Sequence, residues 1–149
     1  MNKELQKFAS SEPLTVERTI SAPVAQVWTA LTTAEALKQW SFEIDDFKPE
    51  AGFEFRFSVE KEGFTYPHVC VVTEVVPHKR LAYTWRYEGY EGETLVSFEL
   101  EPEGQKTRVK VTHLGLGTLP QTPNFERKNF QRGWTNLLSS LSEYTETGK

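Results

Sequence analysis

The chain changes its apolar period near residue 122, and that change constrains the fold more than any other feature. Thr122 and Pro123 read as a helix cap followed by a first-turn proline. Beyond them Phe130, Trp134, Leu137, Leu138, Leu141 and Tyr144 recur at spacings of three and four. The spacing predicts one amphipathic helix of about 22 to 25 residues, about 35 Å long at 1.5 Å per residue. Its stripe needs an apolar surface to lie on. Most of the preceding sequence alternates with period two, which supplies sheet faces of the required kind.

Leu14 to Ile20 alternates Leu14, Val16, Arg18 and Ile20 with polar partners and reads as a first strand. Pro23 at a first helical position leads Val24, Val27, Trp28 and Leu31 into a short amphipathic helix. The Thr33 hydroxyl is placed to cap a second short helix carrying Ala34, Leu37 and Trp40. Phe53, Phe55, Phe57 and Val59 then alternate with Glu54, Arg56 and Ser58, and Gly63 marks a turn. Further strands follow at Val69 to Val76, closed by Pro77, at Leu81 to Tyr87, at Thr94 to Leu100 and at Thr107 to His113. Connections this short join antiparallel neighbours, because a parallel pair needs a crossover of a dozen residues or more. Layer packing then gives an α+β fold: a curved six-stranded antiparallel sheet wrapped around a long C-terminal helix, with two short helices between strands 1 and 2.

Composition narrows the function. The 149 residues carry 17 Lys and Arg against 21 Asp and Glu, a net charge of −4, with no basic stripe to neutralise phosphates. Nucleic acid is therefore excluded as an expected partner. Cys70 is the only cysteine, and three scattered histidines offer no metal-ligand spacing, so no metal or cofactor is expected and a reducing cytoplasm fits. No apolar run approaches the roughly 20 residues of a membrane span. Residues 1–13 are read as a flexible N-terminal arm and 14–149 as one domain.

Three motifs carry a resemblance. Val16-Glu17-Arg18-Thr19-Ile20-Ser21-Ala22-Pro23 runs into Val27-Trp28-Thr29-Ala30-Leu31 and ends at Trp40. Glu74-Val75-Val76-Pro77 is followed by Arg80-Leu81 and Tyr83-Thr84-Trp85, and Gly133-Trp134 precedes Leu137, Leu138 and Leu141. Over Leu14 to Tyr144 the chain resembles the START-related, birch-pollen-allergen-like helix-grip superfamily. Within it, the chain is similar to the family named for homology to the heat-shock-protein ATPase activator. That resemblance implies a helix-grip fold, and a family spanning lipid and polyketide binders, cyclase-like enzymes and chaperone-activator modules. Cys70 stands where the family is expected to carry a small, glycine-like residue, so a narrowed cavity is expected there.

A long helix laid across a curved sheet can enclose a space between them, and such pockets are apolar with a few orienting polar groups. The expected ligand-binding set is Trp40, Phe55, Phe57, Tyr83, Trp85, Phe98 and His113, closed from the helix side by Phe130, Trp134 and Leu138. His113 admits two readings, a satisfied core histidine or a ligand and proton contact. Arg18 either reaches a ligand carboxylate or turns to solvent, and Cys70 reads as a small buried hydrophobe. His68 beside Pro67 is read at a strand start and His78 in a turn, both exposed. Glu43, Asp45 and Asp46 read as a solvated acidic rim, and Glu99 points outward.

Enzyme signals are sparse. No nucleophile elbow, phosphate loop, dinucleotide fingerprint or His-Glu-x-x-His helix is present. The expectation is a binder of a small apolar or amphipathic molecule. The alternatives are an interaction module contacting a chaperone or other protein, and a cyclase-like enzyme with Tyr83 and His113 as donors. A binder should contain an interior cavity of about 300 Å³ or more.

Overall fold

The computed structural model of the protein describes residues 13–41, 44, 46–61, 63–120 and 122–146. Most of the expected N-terminal arm, together with Glu43 and Asp45 of the acidic rim, lies outside the described residues. Asp46 is exposed. The elements run β1 (Leu14–Ile20), α1 (Val24–Thr32), α2 (Ala34–Trp40), β2 (Glu54–Lys61), β3 (Phe64–Val76), β4 (Arg80–Tyr87), β5 (Thr94–Glu103), β6 (Lys106–Leu114) and α3 (Arg127–Glu146). Short 3₁₀ turns at Leu116–Thr118 and Pro123–Phe125 join β6 to α3. The six strands form one open antiparallel sheet in the order β1-β6-β5-β4-β3-β2. Fold class and element order are those expected from the sequence.

The local differences have physical causes. Thr33 does cap α2 by position, but its hydroxyl donates to the Thr29 carbonyl at 3.0 Å, inside the preceding helix, so it makes no capping bond. Thr122 and Pro123 open a 3₁₀ turn rather than the long helix, which begins four residues later at Arg127. The β3 strand starts at Phe64 and runs through Pro67. Proline is tolerated there because the Pro67 carbonyl accepts from Glu88 N–H at 2.9 Å, just past the end of β4. The missing Pro67 donor therefore falls at the margin of the β3–β4 ladder and interrupts little of it. Consequently His68 is not exposed at a strand start. It sits within β3, paired with Phe57 on one side and Tyr87 on the other, and is 3% exposed.

A register shift between Val72 and Glu74 bends β3 where it meets β4. The Thr84 hydroxyl accepts from Val71 N–H at 3.0 Å beside that bulge. On the concave face Ile20, Val27, Leu31, Val72, Leu81, Val96, Phe98, Val109, Val111, Leu138 and Leu141 form one buried core. Cys70 is fully buried within it, as expected for a small hydrophobe, and burial pushes its thiol pKa up.

Helix α3 is pinned beside β1 at both ends. At its start the Arg127 guanidinium donates to the Pro13 carbonyl at 2.8 Å. At its end the Glu146 carboxylate accepts from Ser21 N–H at 2.9 Å, and Gln26 donates to the Thr145 carbonyl at 2.6 Å. Through these contacts α3 packs most extensively on β1 and stands away from β2, β3 and β4.

Candidate functional site

The stand-off leaves a cavity of about 410 Å³ between α3 and the far half of the sheet. Its floor is aromatic: Tyr66 and His68 come from β3, Trp85 and Tyr87 from β4, and Val59 from β2. Trp40 and Ser41 close one side, and Phe125 in the 3₁₀ turn closes another. Trp40 is held by its indole N–H, which donates to the Ala30 carbonyl of α1 at 2.8 Å. Of the ten residues expected to contact a ligand, Trp40, Trp85, Phe130 and Trp134 line this cavity.

The other six pack elsewhere. Phe55 lies between Phe47 at 5.1 Å and Tyr83 at 5.0 Å between ring centroids, and Tyr83 also meets Phe98 at 6.0 Å. Phe57 stacks on the His68 ring at 4.5 Å, one layer behind the lining. Leu138 is 1% exposed in the core. Cys70 also lies off the lining, so it does not narrow this cavity.

His113 is fully buried and its polar atoms are accounted for. The Trp134 indole N–H donates to His113 Nδ1 at 3.0 Å, which makes Nδ1 the acceptor and leaves the ring proton on Nε2. That Nε2–H donates to the Thr94 hydroxyl at 2.7 Å, and Thr94 donates onward to the Trp85 carbonyl at 2.9 Å. The chain ties α3 to β6, β5 and β4 in sequence. Burial pushes the His113 pKa down to about 3, so the ring is neutral and fixed in one tautomer. His68, also desolvated, is pushed down to about 4, and its Nδ1 lies 2.8 Å from the Tyr66 carbonyl. Arg18 is exposed on β1, Glu99 pairs with Arg80 at 3.4 Å, and His78 is exposed at the β3–β4 turn.

The helix side of the cavity was not anticipated. Asn129, Gly133, Asn136, Leu137 and Ser140 follow one another at intervals of four, three, one and three, so they share a helical face beside the core stripe of Trp134, Leu138 and Leu141. The legible signal was Gly133 in mid-helix, flanked at helical spacing by short polar residues. A Cβ added at Gly133 would meet nothing within 4 Å. Close packing therefore does not require glycine there, although glycine costs a helix interior about 1 kcal/mol relative to alanine.

Residues 21–146, most of the fold just described, match the family described as Activator of Hsp90 ATPase homolog 1-like protein. The chain belongs to that family. Solved structures similar to this family member include protein CV1439 from Chromobacterium violaceum, with 21% identity, a TM-score of 0.78 and coverage of 90% of this chain and 96% of that one. Protein MLL2253 from Mesorhizobium loti shares 26% identity at a TM-score of 0.76, covering 93% of this chain and 99% of that one. DynU16, a protein in the dynemicin biosynthetic locus, shares 26% identity at a TM-score of 0.75 and matches 93% of this chain but 49% of its own. No curated protein matches the chain in sequence. Among the described residues of this family member, no helix is long and apolar enough to cross a membrane, and no group of three or more metal-ligating side chains occurs.

Proposed function

We propose that the protein binds a small, uncharged or amphipathic molecule, rich in apolar surface, between α3 and strands β2 to β4. The cavity carries this reading. Its 410 Å³ lies within the range of small-molecule sites, and Tyr66, Trp85, Tyr87, Phe130 and Trp134 offer ring faces and edges for a ligand to pack on. Asn129, Asn136, Ser140 and Ser41 supply neutral donors and acceptors at its rim, and no carboxylate, lysine or arginine lines it among the described residues. A helix evolved only to cover the sheet would fill the Gly133 position. Here the position is left open, at a cost to helix stability.

The neighbour from the dynemicin biosynthetic locus makes a biosynthetic intermediate or product a reasonable class to screen first. Binding of a chaperone, suggested by the family's description, is supported by less: Phe64, Val76 and Tyr90 are the large apolar side chains that stand exposed among the described residues, and Phe64 and Val76 lie at opposite ends of β3. A cyclase-like reaction with Tyr83 and His113 as donors is disfavoured, since neither side chain reaches the cavity.

The test uses N-phenyl-1-naphthylamine, a compact apolar fluorophore. Saturable binding is expected in the parent, with a change in emission from the lining tryptophans Trp40, Trp85 and Trp134. Gly133→Phe should place a ring in the open space, weaken binding about tenfold or more, and leave the protein cooperatively folded. Equal affinity in parent and Gly133→Phe would locate the dye on the surface and refute the proposal.

A further inference from the structure

We propose that Phe125 is the end wall of this cavity and sets the length of ligand the protein accepts. The inference rests on the binding reading above and adds its specificity. Directly beyond the 410 Å³ cavity lies a second groove of about 510 Å³, lined by Leu116, Gly117, Thr122, Pro123, Glu126, Arg127 and Lys128 together with Phe125. Among the described residues, Phe125 is the one residue common to both linings. The two spaces thus meet at Phe125, and together they would hold an elongated molecule.

The wall is held mainly by ring contacts. Phe125 is 7% exposed and sits edge-on to Tyr87 at 4.9 Å, Tyr90 at 5.3 Å and Tyr66 at 6.0 Å between centroids. Its backbone belongs to a three-residue 3₁₀ turn whose backbone hydrogen bonds are local: Phe125 N–H donates to the Thr122 carbonyl at 3.0 Å, and Glu126 N–H to the Pro123 carbonyl at 3.5 Å. Shortening the side chain therefore opens the partition without removing a strand or a helix turn.

The two spaces also differ in chemistry. The inner cavity is lined by aromatic and neutral residues, whereas the outer groove carries the Lys128–Glu126 ion pair at 3.5 Å and Arg127, which donates to the Pro13 carbonyl. A molecule long enough to pass the wall would leave an apolar lining for a charged one, so an amphipathic chain suits the pair of spaces. A longer chain must cross the wall where a shorter one need not, so chain length is the variable that reads the partition.

The experiment displaces N-phenyl-1-naphthylamine from parent, Phe125→Ala and Phe125→Leu with linear saturated carboxylates from octanoate to hexadecanoate, each below its critical micelle concentration. In the parent, affinity should rise with chain length to a limit within the series and then level or fall. In Phe125→Ala, hexadecanoate should gain at least about tenfold relative to decanoate, with Phe125→Leu intermediate and serving as the readout if the alanine variant fails to fold. Dye binding in all three proteins with an unchanged chain-length profile would overturn the end wall while leaving the cavity as a binding site. Absence of saturable dye binding in the parent would overturn the binding reading and the end wall together.

Discussion

Acidification from pH 7.5 to pH 5 should destabilise the protein by about 4 kcal/mol through two histidines alone. His113 titrates in the folded state at about 3 and His68 at about 4, against 6.5 in the unfolded chain, and burial is the leading cause for both. The direction follows from linkage. Both folded-state values are depressed, so below pH 6.5 the unfolded chain takes up protons that the folded protein refuses. The stability is complete above about pH 6.5 and is lost as pH falls toward 4 and then 3. At pH 5 each histidine lies about 1.5 units below its unfolded value, and at about 1.36 kcal/mol per unit each contributes a loss of about 2 kcal/mol. Against a total stability of about 5 to 15 kcal/mol, the combined loss is large. Glu146, held low by Ser21 N–H and the Ser142 hydroxyl, acts in the same direction but only in the carboxylate range below about 4.5. Urea unfolding followed by tryptophan emission at several values between pH 7.5 and 5 would give the profile. His113→Leu should be less stable at every pH but show about half the slope. A free energy flat to within about 1 kcal/mol across this interval would refute the reasoning, because it would mean that both rings titrate near 6.5 and are not desolvated.

Two further substitutions test the packing around the site. Gly92 has φ of 98°, and an added Cβ would lie 2.2 Å from the Thr118 carbonyl oxygen, whereas Gly89, with φ of 89°, has nothing within 4 Å. Gly89→Ala should therefore cost only the conformational term of about 1 to 2 kcal/mol and Gly92→Ala clearly more, so equal melting temperatures for the two variants would count against this loop geometry. Trp134→Phe removes the donor to His113 Nδ1 and leaves a buried acceptor unsatisfied; a loss of at least about 1 to 3 kcal/mol in denaturant titration is expected, and a loss below about 0.5 kcal/mol would mean that the bond is not formed.

The fold was largely legible because it is written in two periodicities. Alternation placed β1 within its observed bounds, and the three-and-four spacing of Trp134, Leu138 and Leu141 identified the buried face of α3. Misreadings came where a local rule met a long-range contact. Pro67 read as a strand boundary, because its role depends on a carbonyl partner at Glu88, 21 residues away in sequence, that no local pattern discloses. His68 was misplaced with it, and so the histidine that lines the cavity was taken for a surface residue. Thr122 and Pro123 have the composition of a helix start, but the 3₁₀ turn they open carries Phe125 down onto Tyr87 before the helix begins.

Which aromatics would line a space and which would fill one was beyond the reach of alternation. Alternation assigns a side chain to the concave face, and Phe55, Phe57, Tyr83, Trp85 and Phe98 share that face. Their separation depends on where α3 lies above it. Three hydrogen bonds decide this, Arg127 to Pro13, Ser21 to Glu146 and Gln26 to Thr145, and each joins residues more than 110 positions apart. Because two of the three hold the helix ends beside the ends of β1 and the third ties its last turn to α1, the gap opens over β2 to β4. Trp85 and Tyr87 are buried yet line the gap, because α3 lies to one side of them. The cavity is therefore a consequence of anchoring at the ends of one edge strand, and the short residues Asn129, Gly133, Asn136 and Ser140 keep it open where α3 passes over it.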